Sequence, residues 1–149
     1  MSLIFDDVYF MRQAIKEAHK ALEMGEVPIG ALIVCQNKII ARGHNLTETL
    51  KDTTAHAEMI AITAASSALG GKYLKGCTLY VTLEPCPMCA GALAWSQIDK
   101  IVFGATDSKR GYLKYSPMVL HPKTSVVSKM LEEETAELLK SFFQQKRKK

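Results

Sequence analysis

Two short segments of this 149-residue chain could do chemistry. His56-Ala57-Glu58 sets an imidazole two residues before a carboxylate. Pro85-Cys86-Pro87-Met88-Cys89 sets two thiols three residues apart. One histidine and two cysteines are three ligands of the kind zinc prefers. At a helix start, that spacing lets Cys86 and Cys89 face one point, and the positive helix end favours thiolates. Three protein ligands leave a fourth position for water, the arrangement of a catalytic zinc site. Glu58 sits close to such a metal without needing to bind it. It is placed to take a proton from the water and deliver it to a leaving group.

A Cys-x-x-Cys pair alone would also suit a structural zinc corner, a redox pair or two core thiols. A structural corner needs a fourth ligand. Cys35 and Cys77 fall on apolar strand segments, and His19 lies within a helix, so none presents itself. A redox pair leaves His-x-Glu without a role.

The elements that must position these segments follow from periodicity and punctuation. Asp6 or Asp7 caps a first helix carrying Met11, Ile15, Ala18 and Leu22 at helical spacing, stopped by Gly25. Ile29–Cys35 and Lys38–Ala41 form a hairpin around Gln36-Asn37. Thr53 or Thr54 caps an alanine-rich second helix, Ala55–Leu69, ended by Gly70-Gly71. Thr78–Leu83 is a buried strand, and Pro87 opens a third helix running through Ser96. Lys100–Gly104 is another strand, and Glu132–Gln145 a terminal helix. Residues 105–125 give no clear period. Strands alternating with helices indicate an α/β layered domain, and with no repeat or linker the expectation is one domain over 1–149.

Composition agrees. At 48% hydrophobic and 23% charged residues, the chain can bury a core and is neither disordered, collagen-like nor a coiled coil. No apolar run reaches the roughly 18–20 residues of a membrane span. The start, Met1-Ser2-Leu3-Ile4-Phe5-Asp6-Asp7, is acidic where a signal peptide is basic, so a cytoplasmic location is expected. The net charge of +4 is local: residues 1–95 carry 8 positive and 9 negative groups, residues 96–149 carry 11 and 6. The excess collects in 100–123 (Lys100, Lys109, Arg110, Lys114 and Lys123 against Asp107) and at Lys146–Lys149. That placement allows a polyanionic partner.

Together, H-x-E and P-C-x-x-C are the pattern of zinc-dependent base deaminases. The chain resembles the cytidine deaminase superfamily and, within it, the bacterial tRNA-specific adenosine deaminases. The likeness runs through Gly25-Glu26-Val27-Pro28-Ile29-Gly30-Ala31, Arg42-Gly43-His44-Asn45, Thr54-Ala55-His56-Ala57-Glu58 and Thr78 to Ala92. It continues more weakly through Val102-Phe103-Gly104-Ala105 and Phe142-Phe143. The resemblance implies a three-layer α/β/α sandwich around a five-stranded mixed sheet, and a homodimer. It implies conversion of the wobble adenosine of a tRNA anticodon stem-loop to inosine. It assigns one zinc per subunit to His56, Cys86 and Cys89, and proton transfer to Glu58. Asn45 would hydrogen-bond the base, the Ala57 amide would contact its ring, and Ile29 would form an apolar wall.

By residue type alone, Asn45 also reads as a turn residue, Ile29 as core and His44 as a packed or capping side chain. Glu84 reads as a structural hydrogen-bonding group or a catalytic one. Between the fourth strand and the last helix the chain departs from the family, reading Asp107-Ser108-Lys109-Arg110-Gly111-Tyr112-Leu113-Lys114-Tyr115 and then His121-Pro122-Lys123-Thr124-Ser125. The departure bears on substrate more than on chemistry, and keeps open deamination of a free base or nucleoside by the same zinc centre. Lys109, Arg110, Lys146 and Arg147 are the candidate RNA contacts. A solvated loop with packed tyrosines would have the same composition.

Overall fold

The computed structural model describes residues 5–147. Lys148 and Lys149, half of the basic tail, lie outside them. Asp6 caps α1 (Asp7–Glu23), its carboxylate accepting from Tyr9 N at 2.9 Å. That bond satisfies one of the amides a helix start leaves open. Phe10, Met11, Ala14, Ala18 and Ala21 bury one stripe of the helix.

The expected hairpin follows as β1 (Gly30–Cys35) and β2 (Lys38–His44). Gln36 and Asn37 both have positive φ, the twist that joins two strands through two residues. β2 outruns its apolar segment because Arg42 and Gly43 keep alternating outward and inward with the pleat. A short helix, α2 (Thr47–Leu50), buries none of its residues, so it offered no period to read.

α3 (Ala57–Leu69) begins at His56, not at Thr53 or Thr54. The Thr54 amide and hydroxyl both donate to Asp52 Oδ1, at 2.8 and 2.7 Å, so that residue belongs to a local turn. β3 (Cys77–Leu83), α4 (Pro87–Ser96) and β4 (Lys100–Ala105) come next. The segment that gave no period holds α5 (Tyr112–Tyr115) and ends in β5 (Ser125–Val127). α6 (Glu132–Arg147) closes the described chain, two residues longer than expected.

The strands form one sheet in the order β2-β1-β3-β4-β5. β1 runs antiparallel to β2 and β3, while β3, β4 and β5 are parallel, so the sheet is mixed. Alternate residues of β1 serve two cores. Ala31 and Ile33 join Ala57, Ala61, Leu93 and Phe103 on the side of α3 and α4. Leu32 and Val34 join Phe10, Met11 and Ala14 of α1 on the other. The layers are the expected α/β/α sandwich. Each fully buried Leu, Ile or Phe contributes roughly 1.5–3 kcal/mol, which makes this sheet a stiff base for what it carries.

Two features aim it at a site. A Cβ on Gly43 would stand 2.6 Å from Ala57 O and 3.0 Å from Ala61 N, so the missing side chain lets the first turns of α3 lie directly on β2. The segments after β3 and β4 leave the same, C-terminal, edge of the parallel strands, the usual place for a site in such sheets.

Candidate metal centre and its basic cleft

His56 and Cys86 occupy equivalent positions, each the residue just before a helix, with extended backbones (φ −74°, ψ 156° and φ −72°, ψ 168°). Ser, Thr, Asp or Asn usually stands there and bonds back to the helix. Among the described residues neither side chain caps its own helix, and both turn instead toward each other. His56 Nδ1 lies 3.6 Å from Cys86 Sγ and 3.5 Å from Cys89 Sγ. Two helix N-termini therefore converge on one spot and favour negative charge between them.

This geometry fits zinc. Bonds of about 2.3 Å to sulfur and about 2.0 Å to nitrogen at the tetrahedral angle set S and N about 3.5 Å apart. The donor atoms of His56, Cys86 and Cys89 all lie within 4.8 Å of one another, and among the described residues this group has three members. Three donors of this type leave a coordination position open. The Cys89 hydrogen bond holds the Cys86 thiol down at about 4, and the same bond pushes Cys89 up. The Cys86 bond raises His56. Without metal, the trio thus shares protons around one thiolate.

Glu58 lies in the first turn of α3 and is only 4% exposed. Burial, with the Cys86 charge nearby, pushes its carboxyl up to about 7. A carboxyl poised near neutrality can both take and return a proton. Cys35 and Cys77 stand opposite each other on β1 and β3, away from the trio, and burial lifts Cys77 to about 12. They are core thiols. His44 turns its Nδ1 to Glu17 of α1 at 3.5 Å and is packed.

A cleft of about 630 Å³ opens on two of the trio, lined by His56, Cys86, Met88, Lys109, Arg110 and Tyr115 among others. Lys109 and Arg110 form a ridge, because they also line a second cavity of about 460 Å³ with Lys140, Phe143 and Arg147. Lys146 is not part of it; its Nζ lies over the Phe142 ring, 5.5 Å from the centroid. Lys100 is engaged by Asp7 at 3.0 Å, and Lys123 lies in a different hollow beside Lys75 and His121. Lys140 escaped the sequence reading, which looked to the tail. Its signal was the helical spacing of Lys140, Phe143, Gln144 and Arg147 on one face.

Asn45 and Ile29 are tied together through Asn45 N and Ile29 O at 3.1 Å, outside the residues that line the cleft. Asn45 Oδ1 accepts from Thr47 N, the bond expected of a turn residue. Ile29 packs on the α3 side of the sheet, and Ala57 is buried beside His56. The sequence reading missed Glu26. It is 1% exposed, and its carboxylate accepts from Glu48 N, Thr49 N and Thr49 Oγ1 at 3.1, 2.7 and 2.7 Å. It thereby fixes α2 and the turn carrying Asn45. A charged residue inside the apolar Gly25–Ile29 turn was the available signal.

Residues 5–105 match the cytidine and deoxycytidylate deaminase zinc-binding region. The chain belongs to this deaminase family. It is a zinc-dependent enzyme, and the trio is a group of donors that could hold the metal. The tRNA-specific adenosine deaminase of Bacillus subtilis is 52% identical over 148 residues, covering 96% of this chain and 92% of that protein. A structure from studies of A-to-I editing by tRNA:A34 deaminases superposes with a TM-score of 0.82 at 44% identity, covering 88% of this chain and 99% of that one. The Bacillus subtilis guanine deaminase structure matches with a TM-score of 0.66 at 38% identity, over 68% of this chain and 66% of that one.

Proposed function

We propose that this deaminase hydrolyses the wobble adenosine of a tRNA to inosine. The observation that carries the substrate is the 52% identity to a tRNA-specific adenosine deaminase across nearly the whole of both chains. The basic ridge and cavity support it. Lys109, Arg110, Lys140 and Arg147 suit phosphates, and Phe143 offers a stacking surface. A free base brings no phosphate and needs none of them. The partial likeness to guanine deaminase keeps the free-base reading as the alternative to test.

In this reading His56, Cys86 and Cys89 hold the zinc. When bound, the metal supplies a water acidified to a pKa of about 7. Glu58 would take one proton of that water and pass it to the ring nitrogen as the water oxygen bonds carbon 6 of the adenine. It would then take the remaining proton from the new hydroxyl on carbon 6 and deliver it to the exocyclic amine. The carbon–nitrogen bond breaks and ammonia leaves, so adenosine and water give inosine and ammonia. The family resemblance gives Asn45 a bond to the base, the Ala57 amide a contact with its ring and Ile29 an apolar wall; Asn45 and Ile29 lie outside the residues that line the cleft, so these roles require the bound base to reach beyond it. An anticodon loop suits such a site, because its bases can be splayed without melting a duplex.

We read residues 1–149 as one catalytic domain that works as a homodimer. α4 contains no charged residue, and its face away from the core presents Met88 and Trp95, the latter 85% exposed. A second copy of the chain covering that face would remove it from water. Trp95→Glu should then sediment as a monomer while keeping its zinc. Among the described residues no helix is long and apolar enough to cross a membrane. Four unpaired cysteines suit the reducing cytoplasm, where we place the enzyme.

Sequencing total tRNA after incubation with the zinc-loaded protein tests the function. Inosine should arise at the wobble position. Ammonia released from free guanine, cytosine or adenine, with no change in tRNA, would sink this reading in favour of the alternative.

A further inference from the structure

Glu84 is the last residue before the Pro85-Cys86 turn, and it is 5% exposed. Its amide donates to Ala105 O at 2.8 Å. Its carboxylate reaches across to the segment after β4: Oε1 accepts from Asp107 N at 3.0 Å and Oε2 from Leu113 N at 3.1 Å. The neighbouring Pro85 O accepts from Tyr112 N at 2.9 Å. Both carboxylate oxygens thus accept a backbone amide.

Gly111 makes room for this arrangement. Its φ of −68° suits any residue, but a Cβ there would overlap the Glu84 carboxylate and stand 2.6 Å from Asp107 O. The glycine is required for space. Between and just beyond the two anchored amides lie Lys109, Arg110, Lys114 and Tyr115, which form one wall of the cleft. A buried carboxylate binding two amides is stronger than a neutral pair, and removing it strands two donors.

We infer that Glu84, seated in the space Gly111 leaves, is a positioning residue that sets the Lys109–Tyr115 wall of the substrate cleft relative to Cys86. One side chain connects the strand leading to a metal ligand with the cations that meet the polynucleotide. It therefore fixes the distance between the reacting base and its phosphate contacts. The inference rests on the RNA reading above, because the wall's task is to seat that substrate.

The test uses the zinc-loaded full chain, an anticodon stem-loop with adenosine at the wobble position, and the variants Glu84→Gln, Gly111→Ala and their double. Glu84→Gln keeps the volume but turns an amide group toward one of the donors. Gly111→Ala leaves the carboxylate but displaces it. Each single variant should raise KM about tenfold, with kcat within about twofold and zinc retained. The double should raise KM no further, since the two changes break one joint. Hydrogen exchange at the Asp107 and Leu113 amides, read without substrate, should quicken at least tenfold in both singles.

Unchanged KM, additive effects in the double, or a loss of zinc and kcat at constant KM would each overturn the inference. So would unaltered exchange. A parent protein inactive on the stem-loop overturns the RNA reading instead, and the exchange data still judge the joint.

Discussion

His56 and Cys89 approach to 3.5 Å, Nδ1 to Sγ, from the starts of two different helices and 33 residues apart in sequence. No local segment builds this pair; the packing of α3 and α4 on one sheet does. Metal capture is therefore a property of the folded chain, and zinc should stabilise the fold by binding it alone.

Zinc affinity should climb with pH. The metal needs two thiolates and a neutral imidazole, whereas in the free trio Cys86 is held down at about 4 while Cys89 and His56 are shifted up. Each proton displaced contributes about a tenfold gain per pH unit. Competition against a chromophoric chelator between about pH 6 and 8 measures the slope. A flat profile would mean that the trio does not bind the metal through Cys89. Chelation should abolish turnover and lower the melting temperature, and added zinc should restore both.

Glu58→Gln should keep its zinc and lose roughly 10²–10⁴ in kcat. Metal analysis and inosine formation on the same preparation decide it; loss of both together would make Glu58 a ligand or a structural group. The cycle starts from the carboxylate, so kcat/KM should fall on the acid side. In the metal-free site burial sets the carboxyl at about 7. A nearby zinc charge pulls that value down, which puts the acid limb at or below about 7.

Lys140→Ala should weaken tRNA binding and flatten its salt dependence by about 0.7 in the log–log slope for each phosphate no longer neutralised. Truncation after Gln145 removes Arg147 from the same cavity and should act alike, with zinc content unaltered. Binding titrations at several salt concentrations read both, and slopes equal to the parent's would remove this face from the RNA track.

Glu26→Gln should cost roughly 2 kcal/mol of stability at neutral pH, because buried amides and a hydroxyl lose a charged acceptor. Burial opposes ionisation of Glu26, but the bonds from Thr49 and Glu48 outweigh it and hold the carboxyl below its ordinary 4.5. A depressed value stabilises the fold above about pH 4.5, and that contribution fades as the pH falls through the lower, folded value. Urea midpoints of the two proteins should differ at neutrality and converge in acid. A gap that persists in acid would assign the loss to packing.

Much of the fold could be read from residue types. β-branched runs, a proline at the first helical position and a two-residue turn gave β1, β3 and α4 almost to the residue, and β2 without its last three residues. The trio that could hold zinc was legible because coordination demands rare residue types at fixed spacing. α2, α5 and β5 were not, since each is too short to show a period and is held by distant segments. The start of α3 was misjudged for a related reason: His56 occupies a position that a capping residue normally fills, and its side chain serves the site instead. For Glu84 a structural hydrogen bond was one of the two readings, and hydrogen-bond partners far along the chain decided for it; for Glu26 the charge within an apolar turn was the signal not taken up. Residue types do not show which distant amides a carboxylate will meet.

Gly43 ties the enzyme to its metal supply. A larger residue there would lift the first turn of α3 off β2. Coordination bonds of about 2 Å have little slack to follow it. The core beneath, spread over two layers, would absorb the shift far more easily. A chain altered at that position would therefore look sound wherever zinc is plentiful. It would be the first to empty when the metal runs short.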